Sequence, residues 1–146
     1  MVGDRDSATG TAEAFVHAVI WGEHTAIWDL LGPAGRVTAL NVAQHNGMDR
    51  VVASRITDGL ADPREFDDFL RQLVGGIRRD LRSVDLNDLR VHMVVEDPSG
   101  QAAVAHLVVP SSIPGSDDWA AGSLELRRTD PGRWSIDRLN PMVAGP

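Results

Sequence analysis

The amino-acid sequence predicts an α+β domain in which N-terminal helices pack on one face of a curved antiparallel sheet of at least four strands. Apolar residues recur at helical spacing up to about residue 82 and alternate with polar residues from Leu89 onward. Short turns separate the later segments, and short links between neighbouring strands imply an antiparallel meander. Helices first and strands afterwards are typical of the α+β class.

The helices of the first half have recognisable ends. Thr9 or Thr11 is expected to cap a first helix that runs to about residue 21, and Gly22 to end it. A second, short helix covers residues 24–31 and stops at Gly32 and Pro33. Residues 36–46 fit a helix slightly better than a strand.

Two further helices follow in the sequence. Asp49 is expected to cap a helix that reaches about residue 57, with Gly59 after its end. Asp62, Pro63 and Glu65 form the clearest start signal, because they combine a cap, a first-turn proline and a capping box. The apolar stripe that follows predicts a helix to near residue 82.

Four strands are predicted at residues 89–96, 101–110, 119–128 and 133–139, with turns at 97–100 and 130–132. Alternation places Val91, Met93 and Val95 on one face of the first strand. The second strand is apolar on both faces, and we expect the face that contains His106 to meet the helices. The other face then needs a partner, which predicts a homodimer through the outer face of the sheet.

The chain of 146 residues fits one domain, with flexible ends expected at 1–8 and 141–146.

Composition excludes several kinds of chemistry. The chain contains no cysteine, lysine or tyrosine, which excludes disulfides, thiol nucleophiles, lysine Schiff bases and tyrosine acids. Any catalysis would depend on His, Asp, Glu and Arg, the groups of proton transfer and oxyanion binding.

Charge and hydropathy bear on partners and location. The net charge of −7 disfavours phosphate backbones and anionic membrane surfaces, so nucleic acid is not an expected partner. The polar N-terminus and the lack of an apolar run near ~20 residues predict a cytoplasmic protein without a membrane segment. Basic residues that are all arginine, with abundant Ala, Val, Gly and Asp, indicate a bacterial source.

Several segments resemble the NTF2-like, SnoaL-like superfamily. They are Ala-x-x-Phe-Val-x-Ala at 12–18, the Trp-Gly at 21–22, Ile-Trp-Asp-Leu-Leu-Gly-Pro at 27–33 and Gly-Arg-Trp-Ser-Ile-Asp-Arg-Leu at 132–139. The resemblance implies a cystatin-type cone, in which a curved sheet wraps a long helix around a pocket. The family includes isomerases, dehydratases, polyketide cyclases and epoxide hydrolases, and also noncatalytic binding and dimerisation modules. Residues 34–86 depart from its pattern by carrying more helix.

The candidate site residues follow from the predicted faces and from the resemblance. His106 is the candidate general base or acid, and Asp29 would complete an acid–base dyad with it. Arg138, which alternation places on one face of the fourth strand with Trp134 and Ile136, would hold a carboxylate or enolate oxygen. The expected lining of an apolar pocket is Trp21, Trp28, Trp134 and Met93. The five histidines show no metal-binding spacing, and neither a metal nor another cofactor is expected.

Three functions stay open from the sequence. The first is a pocket protein for a small apolar, polyketide-like molecule, with or without cofactor-free cyclase, isomerase or dehydratase activity. The chain has no tyrosine, and ketosteroid isomerase-like members of the family depend on one. The second is a noncatalytic dimerisation, ligand-binding or protein-interaction module. The third is a regulator that uses the helices of residues 36–57, where the spacing loosely resembles a helix-turn-helix.

Overall fold

The structure, a computed structural model, describes residues 7–81, 86–109, 119–130 and 133–141. In these ranges five α-helices precede four strands, so the predicted α+β class and antiparallel sheet are confirmed. The helices are α1 (Ala8–Trp21), α2 (His24–Leu30), α3 (Pro33–His45), α4 (Arg50–Asp58) and α5 (Pro63–Asp80). The strands are β1 (Arg90–Glu96), β2 (Ala102–Val109), β3 (Trp119–Asp130) and β4 (Arg133–Pro141), and they lie side by side in chain order.

Side-chain caps begin α1, α4 and α5 close to the predicted positions. Ser7, rather than Thr9 or Thr11, caps α1, because its hydroxyl accepts a hydrogen bond of 2.9 Å from the backbone N–H of Gly10. The predicted capping box of α5 is confirmed, with the Asp62 carboxylate accepting from the backbone N–H of Arg64 at 2.8 Å. Ala8 and Pro141, which were expected in flexible ends, lie in α1 and β4. Residues 1–6 and 142–146 lie outside the described residues.

The ambiguous middle segment is a helix. Pro33, which was expected only to stop α2, also begins α3, where its missing N–H costs nothing in the first turn. The α2–α3 junction is fixed to the edge of the sheet, because the Gly32 N–H donates to the Ile136 carbonyl at 2.9 Å. Leu31 forms an isolated parallel bridge with Ile136. This contact covers part of the β4 edge.

Bulges in the sheet change the predicted faces. The register between β1 and β2 shifts between Val91 and Met93, and a bulge of one residue moves the following side chains to the opposite face. Val91 and Val94 therefore pack against the core. Met93 and Val95 are 50% and 51% exposed on the face away from the helices. The prediction that Val91, Met93 and Val95 share one face is wrong for this reason.

The buried residues form two clusters. The larger lies between the sheet and α1 and α2, with Phe15, Ile27 and Leu124 among its most buried side chains. The smaller lies among α2, α3, α4 and α5, and its buried members are Trp28, Leu40, Ala53, Ile56, Phe69 and Leu70. The helices thus cover one face of the sheet, called here the inner face, and no described helix packs on the opposite, outer face.

Candidate functional site

His106 lies on the outer face of the sheet. Ala103, Ala105 and Leu107 are the β2 residues that are buried against the helices, whereas His106 is exposed. The expectation that His106 faces the helices is therefore wrong. Both faces of β2 are apolar, so alternation alone could not choose between them. The small alanine side chains allow α1 to pack close to the strand.

Arg138 and Asp29 also lie away from a common pocket. The register between β3 and β4 shifts between Glu125 and Leu126, which places Arg138 opposite Glu125 and exposes it. Its predicted face, shared with Trp134 and Ile136, is therefore wrong. Asp29 is exposed on α2, which packs against α1 and α5 on the helical side of the sheet. The sheet stands between Asp29 and His106, so the structure does not bring the predicted dyad together.

The residues expected to line a pocket occupy different environments. Trp28 is 8% exposed and packs edge-on against Phe66 and Phe69, with ring centroids 5.7 and 5.3 Å apart. The Arg36 guanidinium lies 4.9 Å from the centre of the Trp28 ring and donates to the Trp28 carbonyl. These contacts fill the space around Trp28 with protein side chains.

The other three predicted lining residues do not approach Trp28. Trp134 is 3% exposed in the larger core cluster. Trp21 is 72% exposed at the end of α1, and Met93 lies on the outer face of the sheet. The four residues therefore belong to two packed cores and two separate surfaces.

The outer face carries an apolar patch on β1 and β2. It consists of Met93, Val95, Val104, His106 and Val108, and is called here the outer-face patch. Met93 pairs with His106 and Val95 with Val104 in the strand register, so these side chains are direct cross-strand neighbours. The patch is contiguous because its members occupy one face of two paired strands.

Polar residues occupy the β3 and β4 half of the outer face. The Asn140 side-chain amide donates to the Glu125 carboxylate at 2.7 Å. The Arg127 guanidinium forms an ion pair with Asp137 at 3.0 Å. These polar groups bond to one another within the chain. Covering the outer face with another chain would therefore stabilise the apolar half most.

A charged cluster joins α2 to α5. His24 Nε2 lies 2.8 Å from Asp67 Oδ1, and Arg71 Nε donates to Asp67 Oδ2 at 2.7 Å. The Arg71 guanidinium and then the His24 ring hold the pKa of the Asp67 carboxyl below its usual range. The i, i+4 spacing of Asp67 and Arg71 was the signal available in the sequence, whereas the contact with His24 depends on the fold.

Replacing Asp67 with asparagine is expected to lower stability at neutral pH and to have less effect in acid. A carboxyl whose pKa is lowered in the folded state adds stability above its unfolded pKa of about 3.9, and loses that contribution as pH falls through the folded pKa. Urea unfolding of wild type, Asp67→Asn and the neighbouring control Asp68→Asn measures the effect between pH 3 and pH 7. An Asp67→Asn deficit as large at pH 3 as at pH 7 would rule out this linkage.

Polar side chains around α4 make contacts within the chain. Asp49 caps α4 by accepting from the Val51 N–H at 2.7 Å, so the polar segment around it is a turn. The Arg55 guanidinium donates to Glu65 at 2.6 Å. Arg55 is thereby held toward α5.

Comparison of the chain with models of protein families, with curated proteins and with solved structures found no match. Within the ranges that the structure describes, every helix is too short or too polar to cross a membrane. Among the same residues, no three His, Asp or Glu side chains group closely enough to hold a metal ion.

Proposed function

We propose that the protein is a noncatalytic dimerisation module with an NTF2-like cone, and that a second copy covers the outer-face patch. The observation that carries the proposal is an antiparallel sheet whose two faces both bear apolar side chains, although helices cover only the inner one. Contiguous apolar surface of this kind marks interaction sites in soluble proteins. A homodimer brings the same patch of two chains together across a twofold axis.

The shape and chemistry of the outer face suit a modest interface. Four strands at about 4.8 Å spacing place the axes of the two outer strands about 14 Å apart, enough for a small protein–protein contact. Met93 and Val95, both about half exposed, lie on the end strand β1 and would form part of the apolar half of this face. The hydrogen-bonded polar groups of β3 and β4 would form part of a rim, as is usual around an apolar interface centre.

The positions of the candidate catalytic residues favour this function over an enzyme. Asp29 lies on the helical side of the sheet, and His106 and Arg138 lie on the outer face. Trp28, an expected pocket residue, packs edge-on against Phe66 and Phe69 instead. General acid–base catalysis needs its groups within hydrogen-bond reach of one substrate, which this arrangement does not offer.

Replacing Met93 with glutamate is expected to convert the dimer to a monomer. The change places a carboxylate at the centre of the patch, where dimerisation would remove it from water without a partner. Analytical ultracentrifugation measures the dissociation constant, and we expect it to rise about a hundredfold or more. Val42→Glu on α3 is the matched control, because Val42 is 55% exposed outside the sheet.

The control should keep the wild-type dissociation constant, and both variants should keep the wild-type circular dichroism spectrum. A Met93→Glu variant that dimerises as tightly as wild type would refute the assignment of the outer face. If only Val42→Glu loses the dimer, the interface lies on α3 and not on the outer face.

A further inference from the structure

His106 is the titratable member of the outer-face patch. Val104 and Val108 lie two residues to either side of it on β2 and share its face of the strand. Across the sheet His106 pairs with Met93 of β1 and with Ser123 of β3. The exposed imidazole therefore has apolar side chains on three sides and an uncharged hydroxyl on the fourth.

On β3, the charged residue diagonal to His106 is Glu125, which pairs with Val104. The Glu125 carboxylate accepts a hydrogen bond of 2.7 Å from the Asn140 side chain of β4. Because β4 borders β3 on the side opposite to β2, this bond turns the carboxylate away from His106. Arg138 pairs with Glu125 from β4 and adds a cation there.

On β1, the groups close to His106 are basic or titratable rather than acidic. Arg90 lies diagonal to His106 in the register and His92 lies in the bulge, and both are exposed. Glu96 pairs three residues away from His106 along β2, and β2 carries no other charged side chain. Within the described part of the chain, a protonated His106 would therefore stand in the patch without a carboxylate partner.

Dimerisation through the patch would take both copies of His106 out of water. Burying an unpaired charged imidazole carries a much larger desolvation cost than burying the neutral ring. Histidine is the side chain whose charge ordinarily changes between about pH 5 and pH 8. A twofold interface doubles the effect, because each chain contributes one imidazole.

We propose that His106 makes dimerisation through the outer-face patch dependent on pH, with association near neutral pH and dissociation in mild acid. The inference rests on the proposed function, because the imidazole loses its water only if a second copy covers the patch. The dimer favours the neutral ring, so affinity is highest where the free chain already carries that form. Affinity then falls as the pH drops and the free chain takes up protons.

Sedimentation equilibrium of the full chain between about pH 8 and about pH 5.5 tests the proposal. An ordinary histidine is about nine-tenths protonated at the lower pH. If the charged form is excluded from the dimer, the dissociation constant should rise at least about tenfold, and about a hundredfold if both rings must be neutral. The net charge of −7 becomes smaller in acid, which alone would strengthen association, so the expected change has the opposite sign.

His106→Gln and His106→Leu identify the responsible group. Both remove the titratable imidazole, and leucine also keeps the patch apolar. Their dissociation constants should change less than about threefold over the same pH range. His45→Gln, at an exposed residue at the end of α3, is the matched control and should keep the pH dependence of wild type. Circular dichroism at both ends of the range shows whether each variant stays folded.

The outcomes separate this inference from the proposed function. Wild type that dimerises equally tightly at pH 8 and pH 5.5 would overturn the inference and leave the dimer standing. A chain that is monomeric at pH 8 would contradict the proposed function and the inference together. A pH dependence that persists in both His106 variants would also overturn the inference, and its loss in His92→Gln would assign it to the bulge of β1.

Discussion

Replacing Trp28 with alanine is expected to lower the free energy of unfolding by about 3–5 kcal/mol. The indole is buried between α2 and α5, with Phe66 and Phe69 edge-on to it and the Arg36 guanidinium over its face. Removing it leaves a cavity and takes the stacking partner from a guanidinium whose Nε is buried without a hydrogen-bond partner in the described residues. The smaller core cluster would lose the residue that connects α2 to it.

Trp21→Ala is the matched control for this loss. Trp21 is exposed at the end of α1, so its removal should change the free energy of unfolding by no more than about 0.5 kcal/mol. Urea unfolding followed by circular dichroism compares the two variants with wild type. A Trp28→Ala loss no larger than that of Trp21→Ala would mean that Trp28 does not pack as described.

Replacing Gly35 with alanine is expected to destabilise the protein by about 1–3 kcal/mol. A Cβ atom at this position would lie 2.6 Å from the Ile136 carbonyl oxygen and 3.3 Å from that of Asp137. Both obstructing atoms belong to the β4 backbone and have little freedom to yield. The substitution should therefore push α3 away from the edge of the sheet.

Gly75→Ala should have the opposite sign. Gly75 lies inside α5, and a Cβ there would meet no atom within 4 Å. Alanine in a helix interior is favoured over glycine by about 0.5–1 kcal/mol, so this variant should be more stable than wild type. Thermal unfolding of the two variants measures both signs, and destabilisation of similar size in both would contradict the close approach of α3 to β4.

Local signals were sufficient to predict most of the secondary structure. Asp49 and Asp62 cap α4 and α5 as expected, because a side-chain cap acts within the first turn and is readable from adjacent residues. Gly22 and Gly59 adopt the left-handed conformation at the ends of α1 and α4, with φ of +68° and +74°. The helical state of α3 was less certain, since its docking on β4 depends on residues about a hundred positions away.

The faces of the strands were not predictable to the same degree. Strict alternation fails after a bulge, and bulges in β1 and between β3 and β4 moved Met93 and Arg138 to the outer face. For β2 the sequence offered two apolar faces, and the choice depends on how closely α1 packs against Ala103 and Ala105. His106 and Arg138 were expected on the side of the sheet that meets the helices, whereas both are exposed on the outer face.

The mass of the full chain in solution tests the proposed function most directly. Sedimentation equilibrium between about 1 and 100 μM covers the affinities expected of a modest interface. If the outer-face patch joins two copies, the mass should approach twice the 15.8 kDa of one chain within this range. A mass of one chain at every concentration would contradict the central claim.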